Sequence, residues 1–254
     1  MPNPEPLLRP SPRAGAPSRE PSLAGTYTIG KLVGFDAART VRGVDKSDLI
    51  TAEMTLTARE LTAPGFVTDF GDLAAFRTHI DTVLDHRDLD QVVVDTSDQG
   101  IAEHLHAWAA GNLPDDARDR LHTIRVLTGR LPRADQAHSV QFSARHWLEG
   151  LPDGHKCGRQ HGHAYLVTLP SGPDGDRLLP VPGELRALLA SGFEGTILNR
   201  VVDVTPTSEH IAAHLAGWLA VRGLADAQGR PFAVRVSETE STWAQFTPDA
   251  RVPA

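Results

Sequence analysis

The residues best suited to chemistry crowd into His155-Lys-Cys-Gly-Arg-Gln-His-Gly-His163, which holds the only cysteine among 254 residues. His161 and His163 stand two apart. On a strand they project from one face, because strand side chains alternate. Two imidazoles on one face are half of a zinc site, and His146, in Phe142-Ser-Ala-Arg-His146, offers a third ligand. Three neutral imidazoles leave a fourth position open, which marks a catalytic rather than a structural zinc. An open Zn2+ polarises a hydroxyl or carbonyl oxygen and stabilises negative charge developing there. Cys157 lies four residues before His161, so it either closes the metal site or stands free as a thiol. Lys156, Arg159 and the metal would favour its thiolate. The bland alternative is a pair of surface strand histidines beside an inert cysteine.

These residues need strands to carry them, and the pattern supplies strands. Ala137 to Arg145, His161 to Leu169 and Phe232 to Glu238 read as strands; Gly183 to Leu189 and Ser208 to Val221 read as helices. The first half shows the same order. Tyr27 to Phe35 and Asp48 to Ala58 read as strands, and Gly71 to Asp85 and Ser97 to Trp108 as helices, the second capped by Ser97 or Asp98. Leu121 to Thr128 follows as a strand. Ile101-Ala-Glu-His-Leu-His-Ala-Trp108 and Ile211-Ala-Ala-His-Leu-Ala-Gly-Trp218 share five of eight positions at an offset of 110. Phe35 and Phe142, then Arg125-Val126 and Arg235-Val236, repeat nearly the same offset. A period this long means two domains rather than a solenoid. The expected division is a Pro-rich tail over 1–24, one domain over 25–131 and another over 132–254.

Composition narrows the function classes. The chain is 40% hydrophobic and 22% charged, with net charge −7. That balance argues against nucleic acid or an anionic membrane as partner. No apolar run approaches the roughly 18–20 residues of a membrane span. A single cysteine precludes an intrachain disulfide and fits a reducing cytoplasm. Proline at Met-Pro-Asn-Pro-Glu-Pro and beyond predicts a disordered N-terminal tail.

Four separated pieces together resemble the 6-pyruvoyltetrahydropterin synthase and 6-carboxytetrahydropterin synthase superfamily. They are Phe142-Ser-Ala-Arg-His146, His155-Lys-Cys-Gly-Arg-Gln-His-Gly-His-Ala-Tyr165, Pro206-Thr-Ser-Glu-His-Ile-Ala212 and Val236-Ser-Glu-Thr239. Cysteine, three residues, then His-Gly-His is the spacing of the carboxy branch. The resemblance is strong over about 137–247 and weaker over about 27–128. It implies an α+β class of tandem tunnelling-fold (T-fold) units. Each unit is an antiparallel four-stranded sheet with two helices on one face, and units assemble into barrels. It also implies roles: His146, His161 and His163 bind Zn2+, Cys157 acts as an acid/base thiol, and Glu238 anchors the pterin ring. Lys156 and Arg159 are candidate contacts for the triphosphate.

The second copy departs from the family pattern where Asp-His should stand after its first helix. It reads Phe193-Glu-Gly-Thr-Ile-Leu-Asn199, whereas the first copy keeps Leu84-Asp85-His86. Conversely, Arg39 stands in the first copy at the place of His146, Thr128 at that of Glu238, and His-Gly-His and cysteine are missing. The resemblance implies sites built between subunits, so the expectation is one catalytic set divided between two copies. Cys157 would work with Asp85 and His86 on 7,8-dihydroneopterin triphosphate, in a homo-oligomer of three two-domain chains. The rivals are the pyruvoyl reaction and a non-catalytic zinc- or pterin-binding tandem.

Overall fold

Strand-forming residues open the chain and set its plan. A computed structural model describes residues 23–129, 134–172 and 175–250. The predicted tail and the residues at the domain boundary lie almost wholly outside them. β1 (Gly25–Val41) and β2 (Val44–Ala58) form a long hairpin. Arg42 and Gly43 turn it, both at positive φ (53° and 76°), the turn whose twist matches its flanking strands. Both strands run longer than the polar–apolar alternation suggested. α1 (Ala74–His79), α2 (Asp98–Asn112), α3 (Asp115–Asp119) and β4 (Leu121–Thr128) complete the first copy, with a two-residue β3 (Arg87–Asp88) beside β1. Ser97 caps α2, its hydroxyl accepting from the Gly100 amide.

The second copy repeats the order with β5 (Ser139–His146), β6 (His161–Ser171), a short β7 (Arg177–Leu179), α4 (Gly183–Leu188), α5 (Ser208–Val221), β8 (Val234–Thr239) and β9 (Thr242–Pro248). The main strands join in the order β4-β2-β1-β9-β8-β6-β5, so the two copies share one open antiparallel sheet. Its seam is the pairing of β1 with β9, from Gly25↔Pro248 to Lys31↔Thr242. The second copy supplies four long strands. The first supplies three among the described residues, and β9 takes the place beside β1.

The helices cover one face and make two cores. Ile29, Val33, Phe35 and Met54 pack under α1 and α2 with Phe76, Ile101 and Leu105. Phe142, Tyr165, Val167 and Val236 pack under α4 and α5 with Leu185, Ile211 and Leu215. On the other face Trp243 lies flat against β1, so close that a Cβ at Gly30 would stand 2.1 Å from its ring. Its Nε1 donates to buried Glu53 at 3.0 Å, tying β9 to β2. No helix among the described residues is long and apolar enough to cross a membrane.

Each copy also carries the same irregular turn. After α1 the chain widens to π geometry over Ile80–Leu84, closed by Asp85 N donating to Ile80 O at 2.9 Å. After α4 the widening spans Leu189–Phe193, closed by Glu194 N donating to Leu189 O at 2.9 Å. The next residue is left-handed in both, His86 at φ 55° and Gly195 at φ 70°.

Candidate active site

β5 and β6 pair with His146 directly opposite His161 and Ala144 opposite His163. The helix-covered face thus carries all three histidines, and their ligand atoms lie within 4.8 Å of one another. His146 Nδ1 donates to the Pro206 carbonyl at 2.8 Å, and His161 Nδ1 to the Arg159 carbonyl at 2.7 Å. A carbonyl only accepts, so each ring carries a proton on Nδ1, and in the neutral form that a metal ligand takes each Nε2 presents a lone pair. Those two nitrogens face each other at 3.1 Å. Such lone pairs repel unless a cation lies between them. Two ligands of one tetrahedral zinc, each about 2.0–2.1 Å from the ion, stand about 3.3 Å apart. The donor set therefore fits a zinc ion. Burial pushes His146 and His163 below the ordinary imidazole range, against the pull of Glu238, and so favours the neutral form a ligand needs.

Tyr165 floors this space. It is two residues beyond His163 on the same face, with its ring edge-on to His146 and His163 at 5.9 and 5.6 Å. Its buried hydroxyl has no hydrogen-bond partner among the described residues. Burial, then Glu238, raises the phenol well above its usual range, so it stays protonated. The sequence reading passed over Tyr165, although the alternation that paired His161 with His163 pointed to it as well.

Cys157 sits half-buried in a 3-10 turn over Lys156–Gly158. The protein's own groups do not favour the expected thiolate. Lys156 lowers the thiol, but burial acts more strongly and raises it, and Glu238 and Asp69 add to the rise. Lys156 and Arg159 are exposed at the rim. Glu238, half-buried at the end of β8, holds Oε2 3.7 Å from His163 Nε2. Its charge acts on His146, His163, Tyr165, Cys157 and Glu209, so it fronts the same space.

Asp85 and His86 are not joined to this cluster by any hydrogen bond or ion pair among the described residues. Asp85 Oδ1 accepts from Asp36 N at 3.0 Å, and Oδ2 stands 2.9 Å from His86 Nδ1. The Asp36 amide, then His86, holds the carboxyl below the usual range; Asp85 in turn raises the imidazole. The His86 side chain is 78% exposed. The second copy reproduces this frame with other side chains: Ser143 N donates to Glu194 Oε2 at 2.9 Å, and Gly195 N donates to Ser143 O as His86 N does to Asp36 O.

The sequence model of the 6-pyruvoyl tetrahydropterin synthase family matches residues 48–131 and again 137–249. The chain belongs to that family. Membership makes it a lyase-type pterin enzyme. A protein of Archaeoglobus fulgidus named for 6-carboxy-5,6,7,8-tetrahydropterin synthase is 32% identical over 113 residues, 42% of this chain and 90% of the relative. Among solved structures, Caenorhabditis elegans 6-pyruvoyl tetrahydropterin synthase aligns over 42% of this chain and 99% of its own at 14% identity and TM-score 0.35. An uncharacterized protein of Wolinella succinogenes aligns over 86% and 97% at 20% identity and TM-score 0.24.

The first copy shows what replaced this family's metal site. By strand register Arg39 takes the place of His146, Lys46 that of His161 and Asp48 that of His163. Thr128, opposite Ile50 on β4, takes the place of Glu238. The Arg39 guanidinium is buried there and spends its donors on Asp48, Asp98, Thr128 and the Thr96 carbonyl, all at 2.8–3.1 Å. Thr96 O corresponds to Pro206 O, the acceptor for His146. A fixed organic cation thus fills the first copy's site with its own ion pairs.

Proposed function

We propose that this chain is a zinc-dependent synthase converting 7,8-dihydroneopterin triphosphate and one water to 6-carboxy-5,6,7,8-tetrahydropterin, with acetaldehyde and triphosphate released. The observation that carries the reading is the convergence of His146, His161 and His163 with Cys157 and Glu238 on one face of the second copy. The Cys-x-x-x-His-Gly-His spacing and the Archaeoglobus relative favour the carboxy branch.

Zinc, when bound, supplies Lewis-acid polarisation of a side-chain oxygen of the substrate. The protein's own groups do the rest. Glu238 accepts two hydrogen bonds from the aminopyrimidinone edge and so fixes the ring. Cys157 removes and returns a proton beside the polarised oxygen, and the Asp85–His86 pair is the second proton carrier. Lys156 and Arg159 meet the triphosphate at the rim. The division into domains 25–131 and 132–254 follows from this reading, because each supplies part of one catalytic set. The assembly that brings them together is a trimer of chains.

The test is product analysis of zinc-loaded protein given 7,8-dihydroneopterin triphosphate. The expected product has the mass of 6-carboxytetrahydropterin, with acetaldehyde formed in equal amount. A pyruvoyl product without acetaldehyde assigns the other branch. Pterin binding without turnover makes the chain a binding protein.

A further inference from the structure

The metal-free first copy touches the thiol loop of the second. Its segment between β2 and α1 crosses the seam and is pinned on the start of α5. Thr207 Oγ1 donates to Gly65 O at 2.9 Å, and Val67 N donates to buried Glu209 Oε1 at 3.0 Å. Two residues on, Asp69 is fixed by its own turn, Oδ1 accepting from Gly71 N at 2.7 Å. Its other oxygen, Oδ2, lies 3.2 Å from His155 Nε2. On the far side of that ring, His155 Nδ1 accepts from the Cys157 amide at 3.2 Å.

The tautomer follows from these contacts. An amide N–H only donates, so Nδ1 is the bare nitrogen and Nε2 carries the proton given to Asp69. The carboxylate selects the ring form that can hold the Cys157 amide. We infer that Asp69, from the copy without a metal site, is a positioning residue that acts through His155 to place the Cys157 turn beside the histidines. This rests on the proposed role of Cys157 as a proton carrier. It gives the first copy a task within its own chain that is separate from Asp85 and His86. The turn's other hydrogen bonds among the described residues are all backbone ones: Leu148 N donates to Cys157 O, Gly158 N to His155 O, Arg159 N to Lys156 O and His155 N to Pro152 O.

The experiment uses full-length, zinc-loaded protein with Asp69→Ala, Asp69→Asn, His155→Ala and the Asp69→Ala/His155→Ala double variant. The first readout is the alkylation rate of Cys157, the only thiol, by iodoacetamide. The second is kcat and KM on the pterin triphosphate. Freeing the turn is expected to raise the alkylation rate of Asp69→Ala and His155→Ala by at least about 3-fold. It lowers kcat about 10- to 100-fold, with KM changed far less, because a small displacement of a reacting group is costly. Asn has one acceptor oxygen for the two donors that Asp69 meets, Gly71 N and His155 Nε2–H, so Asp69→Asn is expected to fall between wild type and Asp69→Ala on both readouts. The double variant is no worse than either single one, since both break one relay. Wild-type alkylation and kcat in Asp69→Ala overturn the inference, and so does a double variant whose loss is the product of the two single losses. If the wild type turns over no pterin, the functional reading fails while the alkylation rates still decide the relay.

Discussion

Two residues record how the copies diverged. His86 holds a left-handed backbone at φ 55°, a conformation that costs a side chain about 1–2 kcal/mol and glycine almost nothing. The second copy has Gly195 at the matching turn. A histidine kept where glycine is cheaper is kept for its imidazole. His86→Gly is therefore expected to raise stability by about 1 kcal/mol in urea unfolding while turnover falls to background. Arg39 is the opposite case, a residue kept for the fold. Its side chain is 3% exposed and neutralises Asp48 and Asp98. Asp48 and Asp98 keep some access to solvent, so Arg39→Ala should cost about 2 kcal/mol, through lost packing and the unpaired Thr96 carbonyl more than through a stranded charge. Zinc content of the loaded protein should match wild type, since the proposed ligands His146, His161 and His163 all lie in the other copy. A loss of zinc in folded Arg39→Ala would show instead that the first copy supports the second copy's histidines.

Among the elements, α5 carries the most consequence. Its first turn presents Glu209, 2% exposed, whose Oε1 accepts from the Val67 amide across the seam. Burial, opposed by that hydrogen bond, pushes its carboxyl up from an ordinary 4.5 to about 7. The folded chain thus holds this proton more tightly than the unfolded one. Glu209's own contribution to stability is therefore greatest in acid, falls as pH rises from about 4.5 to about 7, and is level above that. Glu209→Gln keeps an acceptor for Val67 and removes the titration. Metal-free Glu209→Gln should match wild type near pH 4.5 and exceed it by up to about 3 kcal/mol at pH 8, read by denaturant unfolding. Glu209 also shows where sequence reading stops. Alternation fixed the face of His161 and His163, and one offset aligned α2 with α5, because those signals are local or repeated. Ser208–Val221 and Leu121–Thr128 were legible to the residue. β9 was not predicted; Thr242–Pro248 pairs with nearby β8 on one side and on the other with β1, more than two hundred residues earlier, and that second pairing leaves no local signal. The contacts of Asp69 with His155 and of Val67 with Glu209 were hidden for the same reason. The π turns were illegible because one helical period continues through them.

At the scale of the molecule, one chain carries one metal-fitting site and one Asp-His pair, on different copies of one sheet. That sheet is open, ending at β4 and β5. Edge strands invite pairing, and pairing of β4 or β5 with the edge of another chain would carry the sheet toward the expected barrel. The exposed Asp85–His86 pair has no partner at the histidines of its own chain, so a neighbouring chain is the expected source of the second proton carrier. Mixing distinguishes this from a site completed within one chain. Cys157→Ala and Asp85→Asn chains should each be inactive alone, with zinc retained. Unfolded together and reassembled, they form sites at random. A working site then needs a thiol-bearing chain, half of the total, beside a neighbour with intact Asp85, again half. The mixture should recover about a quarter of wild-type turnover. If the pair acts within its own chain, every chain in the mixture lacks one part and recovery is nil. Full activity of Asp85→Asn alone would remove the pair from the mechanism and leave the first copy as scaffold and as holder of the thiol loop.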